Sequence, residues 1–357
     1  MHNEILKIFL NNIKCNYKEE TFKEFISSMD DETIRRLLMI SSTMNNDNNK
    51  FEIVSKESRK ILEKEFLTNA YDVYSNLFLY TNNFIFELKE FLDNDNYKIK
   101  IDEFDYSIDF LQKILLFGIG YIKYKKNIIS IYIPLEEREI LKKVVNNKRL
   151  IKSIDNHNII IHNINNLLSA YGVIEYTKLN EIYNKIYKKN NNLLEIVTKN
   201  SVVEEEINFY KDKDSYVIYN EPAFNDLEHA RSFYNSLDKN IDYKIYSKDE
   251  LEEISECTYH YNFGEFDSLY AFLSIKFNMS EEDIFEFDEV FVNDYIYSYQ
   301  IDHEQASSNL ENNLDKIFGK LDNKSKKIIT NSILNIARKY PDFKYKGNTY
   351  YDIEKNS

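Results

Sequence analysis

Residues that interrupt regular secondary structure are scarce in this sequence. Among its 357 residues only six are glycine and three are proline. Long stretches therefore run without a break, which favours helices. Because 43% of the residues are hydrophobic, the chain can bury real cores, and a wholly disordered protein is excluded. The length predicts two or three domains.

Cysteines and long apolar runs are also scarce, and each scarcity excludes a class of protein. The two cysteines, Cys15 and Cys257, cannot form the disulfide framework of a small secreted domain. The most apolar run, ILLFGIGYI, has nine residues and is too short to span a bilayer. The first residues lack the apolar segment and cleavage site of a signal peptide. We therefore expect a cytoplasmic protein with no membrane contact.

The usual signatures of enzymes and metal sites are missing as well. There is no P-loop, dinucleotide fingerprint or nucleophile elbow. His157 and His162 lie in a segment with a helical pattern and have no neighbouring nucleophile. Cys257 and His260 make one Cys-x-x-His pair, and even with His303 they fall short of the four ligands of structural zinc. We expect no catalytic residue, cofactor, metal or small-molecule substrate. A catalytic site assembled from distant residues stays open.

Charge is distributed unevenly along the chain, whose net charge is −14. Residues 113–200 hold 15 basic and 7 acidic side chains, a net of +8. Residues 249–304 hold 16 acidic side chains and one lysine, a net of −15. A basic middle and an acidic later section predict two different surfaces on different domains.

Residues 164–187, INNLLSAYGVIEYTKLNEIYNKIY, contain two helical patterns separated by Gly172. Gly172 suits the left-handed position that ends a helix, VIEY is briefly extended, and Thr177 is placed to cap the second helix. A third helix is expected over about 192–205, followed by a β-hairpin with its turn at 211–214. Helix, short strand, two helices and hairpin is the element order of a winged helix.

Residues 81–134 repeat this order less completely. A helix, the short strand YKIKID, one helix and the hairpin GYIKYKKNIISIYIP follow one another, so only one helix separates strand and hairpin. After residue 221 the pattern is entirely helical, with capping boxes opening at Ser247 and Ser280. We therefore predict a mainly α (α+β) protein with winged-helix-type units that carry small β-hairpins. The predicted domains are 1–150, which contains the 81–134 unit, 151–220, and an acidic helical domain over 221–357.

The stretches INNLLSAYGVIEYTKLNEIYNKIY, HARSFYNSLDKNIDYKIYSKDELEEI and LYAFLSIKFNMSEEDI resemble a group of uncharacterised Firmicutes proteins. Those proteins join a Rho-termination-factor-like N-terminal region to winged-helix-like and helical domains, and they often end in a SEC-C zinc motif. The similarity would cover most of residues 80–300. This chain lacks the terminal Cys/His motif, so the resemblance implies no zinc-dependent role, and it implies no specific activity.

Two functions compete for the winged-helix-type units. In a DNA-binding regulator, the third helix would enter the major groove and the hairpins would contact phosphates; the candidate residues are Lys123, Lys125, Lys126, Thr198, Lys199, Asn200, Lys211 and Lys213. Against this, the third helix has no arginine, and it carries Glu195 and Glu204–Glu206, which repel phosphate. We therefore favour a non-enzymatic regulatory or adaptor protein acting through protein contacts or self-association, with the DNA-binding regulator as the alternative.

The acidic segment SEEDIFEFDEVFVNDYIY also permits two interpretations. It has no EF-hand spacing, so we prefer a solvated helix face to a cation site. Ile284, Phe287, Phe291 and Tyr295 would then form the buried stripe. Such a face could receive a basic partner, or it could shield the basic middle of the molecule itself.

Overall fold

The computed structural model describes residues 2–13, 21–44, 58–81, 83–94, 97–189, 193–203, 207–213, 215–220, 223–224, 226–319 and 321–356. It is mainly helical and has two small three-stranded antiparallel sheets, which confirms the predicted fold class. The chain divides into two compact units, one of Met1–Ile160 with Thr198–Glu205 and one of Ile161–Val197 with Glu206–Ser357. The division into three domains stays a prediction.

Helices precede the first sheet, and an aromatic core holds them together. They are α1 (His2–Asn12), α2 (Phe22–Ser28), α3 (Asp31–Met44), α4 (Arg59–Phe78) and α5 (Phe84–Asn94). The apolar residues of α5 recur at helical spacing and are buried, namely Phe84, Ile85, Leu88, Phe91 and Leu92. The ring of Phe84 lies 5.4 Å from that of Phe78 on α4, in an edge-to-face arrangement that aromatic pairs prefer.

The first sheet follows α5 and contains the basic hairpin. Its strands are β1 (Lys98–Lys100), β2 (Tyr121–Lys125) and β3 (Ile128–Tyr132), in the order β1-β3-β2, with α6 (Ile108–Leu116) between β1 and β2. Lys126 and Asn127 join β2 to β3 with φ of 51° and 61°. Two left-handed residues in succession are typical of the tight hairpin turn that matches strand twist. α7 (Leu135–Val145) then packs against α4 and α5, with Leu141 and Val144 buried.

The second sheet repeats the topology of the first. α8 (Lys148–Tyr171) leads into β4 (Val173–Glu175), α9 (Tyr176–Tyr187), α10 (Leu193–Val203), β5 (Asn208–Asp212) and β6 (Ser215–Tyr219). The strand order is β4-β6-β5, so the short strand again pairs with the second strand of the hairpin.

The chain around Gly172 confirms the predicted end of one helix and corrects the predicted start of the next. Gly172 has φ of +67° and its N–H donates to the carbonyl of Leu168 at 2.7 Å, so it ends α8 as expected. The prediction that Thr177 caps the next helix is wrong. That helix already begins at Tyr176 with Glu175 at its N-cap, and the Thr177 hydroxyl donates to the Glu175 carboxylate. The strand passes directly into the helix and leaves no room for a separate cap.

The part of the chain described after residue 220 is helical. It contains α11 (Leu227–Ser236), α12 (Lys248–Ser255), α13 (Gly264–Phe277), α14 (Glu281–Phe287), a π-helical segment (Asp288–Val292), α15 (Asn293–Ile301), α16 (His303–Phe318), α17 (Asn323–Ala337) and α18 (Tyr350–Asn356). Both predicted capping boxes, at Ser247 and Ser280, are formed. Among the described helices, none has the length and apolarity needed to cross a membrane.

Candidate nucleic-acid interface

Strand alternation separates the first sheet into an apolar and a basic face. Successive side chains of a strand point to opposite sides, and the isoleucines at 99, 122, 129 and 131 are buried on one side. Lys98, Lys123 and Lys125 are exposed on the other side. The sheet therefore folds because its isoleucines leave water, and this burial turns the lysines outward.

The strand register aligns these lysines in two rows. Lys98 and Lys123 both pair with Ser130 of the central strand, one from each side. Lys100 and Lys125 pair in the same way with Ile128. Neighbouring strands lie about 4.8 Å apart, so each row holds two lysine backbones about 10 Å apart across the central strand.

Aromatic side chains and an arginine complete this face. Tyr121 pairs with Tyr132 in the next row of the sheet. The Arg138 guanidinium lies 3.8 Å from the ring centroid of Tyr97, and its Nε donates to the carbonyl of Ile133 at 2.8 Å. These two contacts fix the position of the guanidinium group.

Together these residues form a groove of about 620 Å³, which we call the basic face. It is lined by Tyr97, Lys98, Tyr121, Lys123, Lys125, Lys126, Ile128, Ser130, Ile131, Tyr132 and Arg138. No acidic side chain belongs to this described lining. Four lysines and one arginine beside three tyrosines make a surface that suits an anion carrying flat rings.

Lys100 stands beside the groove and is paired with Glu103. Its ammonium lies 2.9 Å from the carboxylate, and both side chains are largely exposed. The hydrogen bond from Lys100 to Glu103 raises the pKa of the lysine. An exposed pair of this kind contributes little to stability, so an incoming phosphate can replace the carboxylate at small cost.

The second hairpin places its predicted lysines in mixed surroundings. Lys211 and Lys213 are exposed, and Lys213 has φ of 52° in the turn. Between them stands Asp212, and Glu175 of the same sheet accepts a hydrogen bond from Ser215. This sheet therefore carries both signs of charge, whereas the basic face gathers Lys123, Lys125 and Lys126 with Lys98.

The third-helix candidates are not on an open surface. Lys199 and Asn200 are 6% and 1% exposed, and Thr198 is half-buried. The Lys199 ammonium lies 5.4 Å from the ring centroid of Tyr80, a cation–π distance. Lys199 and Asn200 are therefore not placed to reach a base edge, which corrects the expectation of an exposed reading helix. Glu204–Glu206, which the sequence set against DNA, lie outside the described residues.

Sequence reasoning missed Lys98, Tyr97, Tyr132 and Arg138 as members of this face. The alternation in YKIKID was a usable signal, because it already placed Lys98 and Lys100 on one side of a strand. What the sequence did not contain was the pairing of that strand with Ile128–Tyr132, about 30 residues later. Arg138 lies on the following helix, α7, and no local sequence pattern indicated that it would reach this face.

The histidines and the cysteine considered from the sequence occupy other environments. His260 is fully buried, with Nδ1 2.9 Å from the Tyr340 hydroxyl and Nε2 2.8 Å from Oδ1 of Asp288. Cys257 is exposed, yet desolvation of its thiol and the nearby Asp288 carboxylate raise its pKa, which opposes a reactive thiolate. Among the described residues, no three His, Cys, Asp or Glu side chains are grouped to hold a metal ion.

His157 and His162 have neutral partners, whereas Nε2 of His303 bonds the Asp342 carboxylate. His157 contacts the carbonyl of Leu79 through Nδ1 and stacks on Tyr80. His162 bonds the side chain of Asn166, one helical turn later. Neither contact resembles the nucleophile–base pair of a covalent enzyme.

Comparisons of the chain with protein-family models, with curated proteins and with solved structures gave no match.

Proposed function

We propose that this protein is a non-enzymatic regulatory or adaptor protein of the cytoplasm that binds nucleic acid through the basic face of its first unit. The observation that carries the proposal is the register of the first sheet. It places Lys98 and Lys123 in one row and Lys100 and Lys125 in the next, beside three tyrosines and Arg138.

We further propose that both sheets belong to winged-helix-type units. In each, a helix precedes a short strand, and that strand pairs with the second strand of a later hairpin. The downstream unit has two helices between strand and hairpin. In the upstream unit, the 3₁₀ turn Ile101–Glu103 takes the place of the first of these two helices, and α6 is the second. This short turn explains why the upstream sequence pattern was less complete.

The chemistry of the basic face favours contact with the phosphate backbone and with unpaired bases. Lysine acts as a flexible point charge, which suits phosphate better than base recognition. Tyrosine rings offer a platform on which bases of a single strand stack, at about 1–3 kcal/mol for each base. We therefore expect single strands to bind more tightly than duplexes, with little sequence preference.

The net charge of −14 sets the conditions under which binding occurs. Long-range attraction is screened beyond about 8 Å at physiological salt, so the local charge of the basic face decides affinity. Releasing counterions from each contacted phosphate makes affinity fall steeply with salt. Binding should be clear at low salt and weak at high salt.

We propose that the downstream winged-helix-type unit does not read DNA. The specific observation is the burial of Lys199 and Asn200 on α10, the helix that would read DNA in such a unit. A helix whose polar residues are buried serves packing, and the recognition of DNA would need them exposed. This agrees with the adaptor function favoured by the sequence.

Fluorescence anisotropy with labelled oligonucleotides of about 16 nucleotides tests the proposal. Single-stranded DNA, single-stranded RNA and duplex DNA are titrated from about 50 mM to about 200 mM salt. We expect binding of single strands that weakens steeply over this range. Absence of binding at the lowest salt refutes the proposal. If polyglutamate displaces the labelled oligonucleotide as well as unlabelled oligonucleotide does, the basic face binds acidic proteins instead.

A further inference from the structure

An aromatic groove lies in the second unit, far in sequence from the basic face. It has a volume of about 540 Å³ and is bounded by the ends of α13 and α16, by α14 and by the π-helical segment. Four phenylalanine rings form its floor as a continuous chain. The centroid distances are 5.1 Å for Phe277–Phe318, 5.4 Å for Phe318–Phe287 and 5.2 Å for Phe287–Phe291.

The wall of this groove is fixed from inside the protein. Asp288, the first residue of the π-helical segment, is buried and bonds Nε2 of His260 at 2.8 Å. The hydroxyl of Tyr261 donates to the same carboxylate at 2.8 Å. π-helical turns are rare and are frequently retained at functional sites. This anchor holds the following residues, Val290 and Phe291, at the groove, so a ligand meets a preformed surface and pays little ordering entropy.

The mouth of the groove exposes apolar side chains to water. Val290 is 69% exposed and Ile317 is 49% exposed, and both line the groove. Apolar side chains that surround an aromatic floor mark an interaction site more strongly than single scattered ones do. The groove is open at its surface and of the size that receives a few apolar side chains.

The rim of the groove is acidic. Asp283 and Glu286 line it, and both are exposed. The surrounding sequence from 276 to 316 contains 11 acidic residues and two lysines, Lys276 and Lys316, one at each end. A basic ligand is therefore attracted to this rim, and an acidic ligand is repelled.

We propose that this groove binds a basic amphipathic helix of a partner protein. Such a helix lays its apolar residues, spaced by three and four positions, into the groove and directs its lysines and arginines to the rim. A second copy of this chain is disfavoured, because a symmetric interface at this groove would bring two acidic rims together. The inference is independent of the basic face, which lies in the other unit.

A synthetic helix tests the proposal with the full-length protein. The probe is a labelled peptide of about 18 residues in which leucine and lysine occupy opposite helix faces. Two control peptides have glutamate in place of lysine, or the same composition in scrambled order. We expect the leucine–lysine helix to bind, and the two control peptides to bind at least about tenfold more weakly.

Two substitutions of exposed aliphatic residues locate the binding site. V290R places a charge at the groove mouth and should weaken peptide binding at least about tenfold. I275R is the matched control, because Ile275 is 85% exposed on α13 and does not line the groove. Circular dichroism checks that both variants stay folded.

A matched charge reversal tests the rim. E286K should weaken binding of the leucine–lysine helix, whereas E282K, on the same helix α14 but outside the groove lining, should change it little. Equal binding by wild type and V290R, or equal loss in V290R and I275R, overturns the proposal. Sedimentation that shows a dimer dissociated by V290R would also overturn it, by assigning the groove to a second copy.

Discussion

A β-carbon at Gly172 would lie 2.5 Å from Cδ2 of Phe343, closer than real side chains approach. The ring of Phe343 is 1% exposed and packs in the same core as Val173. Gly172 therefore serves two needs at once. Its φ of +67° lets the chain turn out of α8, and its missing side chain leaves room for the phenylalanine.

Substituting Gly172 by alanine should destabilise the second unit through both effects. An alanine with positive φ lowers the free energy of unfolding by about 1 kcal/mol. Forcing its methyl group against a buried ring lowers it by about 1–3 kcal/mol more. Chemical denaturation monitored by circular dichroism measures the change. The control is the same glycine-to-alanine change in an F343A background, which removes the ring that the added methyl group would meet and keeps the positive φ.

The comparison separates conformation from packing. In the F343A background G172A should lose about 1 kcal/mol, and in the wild-type background it should lose clearly more. If G172A loses the same amount in both backgrounds, the contact with Phe343 is unimportant. If G172A is as stable as wild type, the left-handed junction is not required.

The buried carboxyl of Glu137 should make the free energy of unfolding depend on pH. Its side chain is fully buried in the first unit, its Oε1 accepts a hydrogen bond from the Tyr74 hydroxyl, and its Oε2 has no partner among the described residues. Burial raises the pKa of this carboxyl well above its ordinary value. The folded state therefore holds a proton that the unfolded state has released once the pH exceeds the ordinary value.

This contribution to stability is fully present below pH 4.5, the ordinary value, and is lost as the pH rises toward the folded pKa. One such group lowers the free energy of unfolding by up to about 1.4 kcal/mol for each pH unit in that window. E137Q keeps a neutral side chain of similar shape, so it should remove this slope and stabilise the protein at neutral pH. Denaturation measured at several pH values checks this, and an unchanged slope in E137Q contradicts it.

Local periodicity predicted much of the fold. The apolar face of α5, the end of α8 at Gly172 and the buried stripe from Ile284 to Tyr295 all follow from side-chain spacing within one element. The N-cap of α9 shows the limit: it is Glu175 and not Thr177, and a shift of a helix start by two residues leaves the spacing of the later apolar residues unchanged.

Relationships between distant residues could not be predicted. The basic face depends on a strand pairing across about 30 residues, and the Asp288–His260 bond spans 28 residues. The helical pattern predicted that Asp288 is exposed like the other carboxylates of its segment. Such a pattern does not indicate that a π-helical turn directs this one carboxylate inward. The burial of Lys199 was hidden for the same reason, because a lysine in a helical pattern normally indicates an exposed position.

The most direct test of the account compares charge reversals in the two hairpins. K125E/K126E changes the last residue of β2 and the left-handed turn residue after it. K211E/K213E is matched, since Lys211 is a strand residue and Lys213 a turn residue, with φ of 52° against 51° for Lys126. Single-strand affinity is measured by anisotropy over a series of salt concentrations.

We predict that K125E/K126E loses affinity for all sequences alike and that its salt slope falls by about 1.4, the value for two phosphate contacts to a single strand. K211E/K213E should keep the wild-type slope and nearly the wild-type affinity. Equal loss in both variants, or wild-type binding by K125E/K126E, would contradict the assignment of nucleic-acid binding to the basic face.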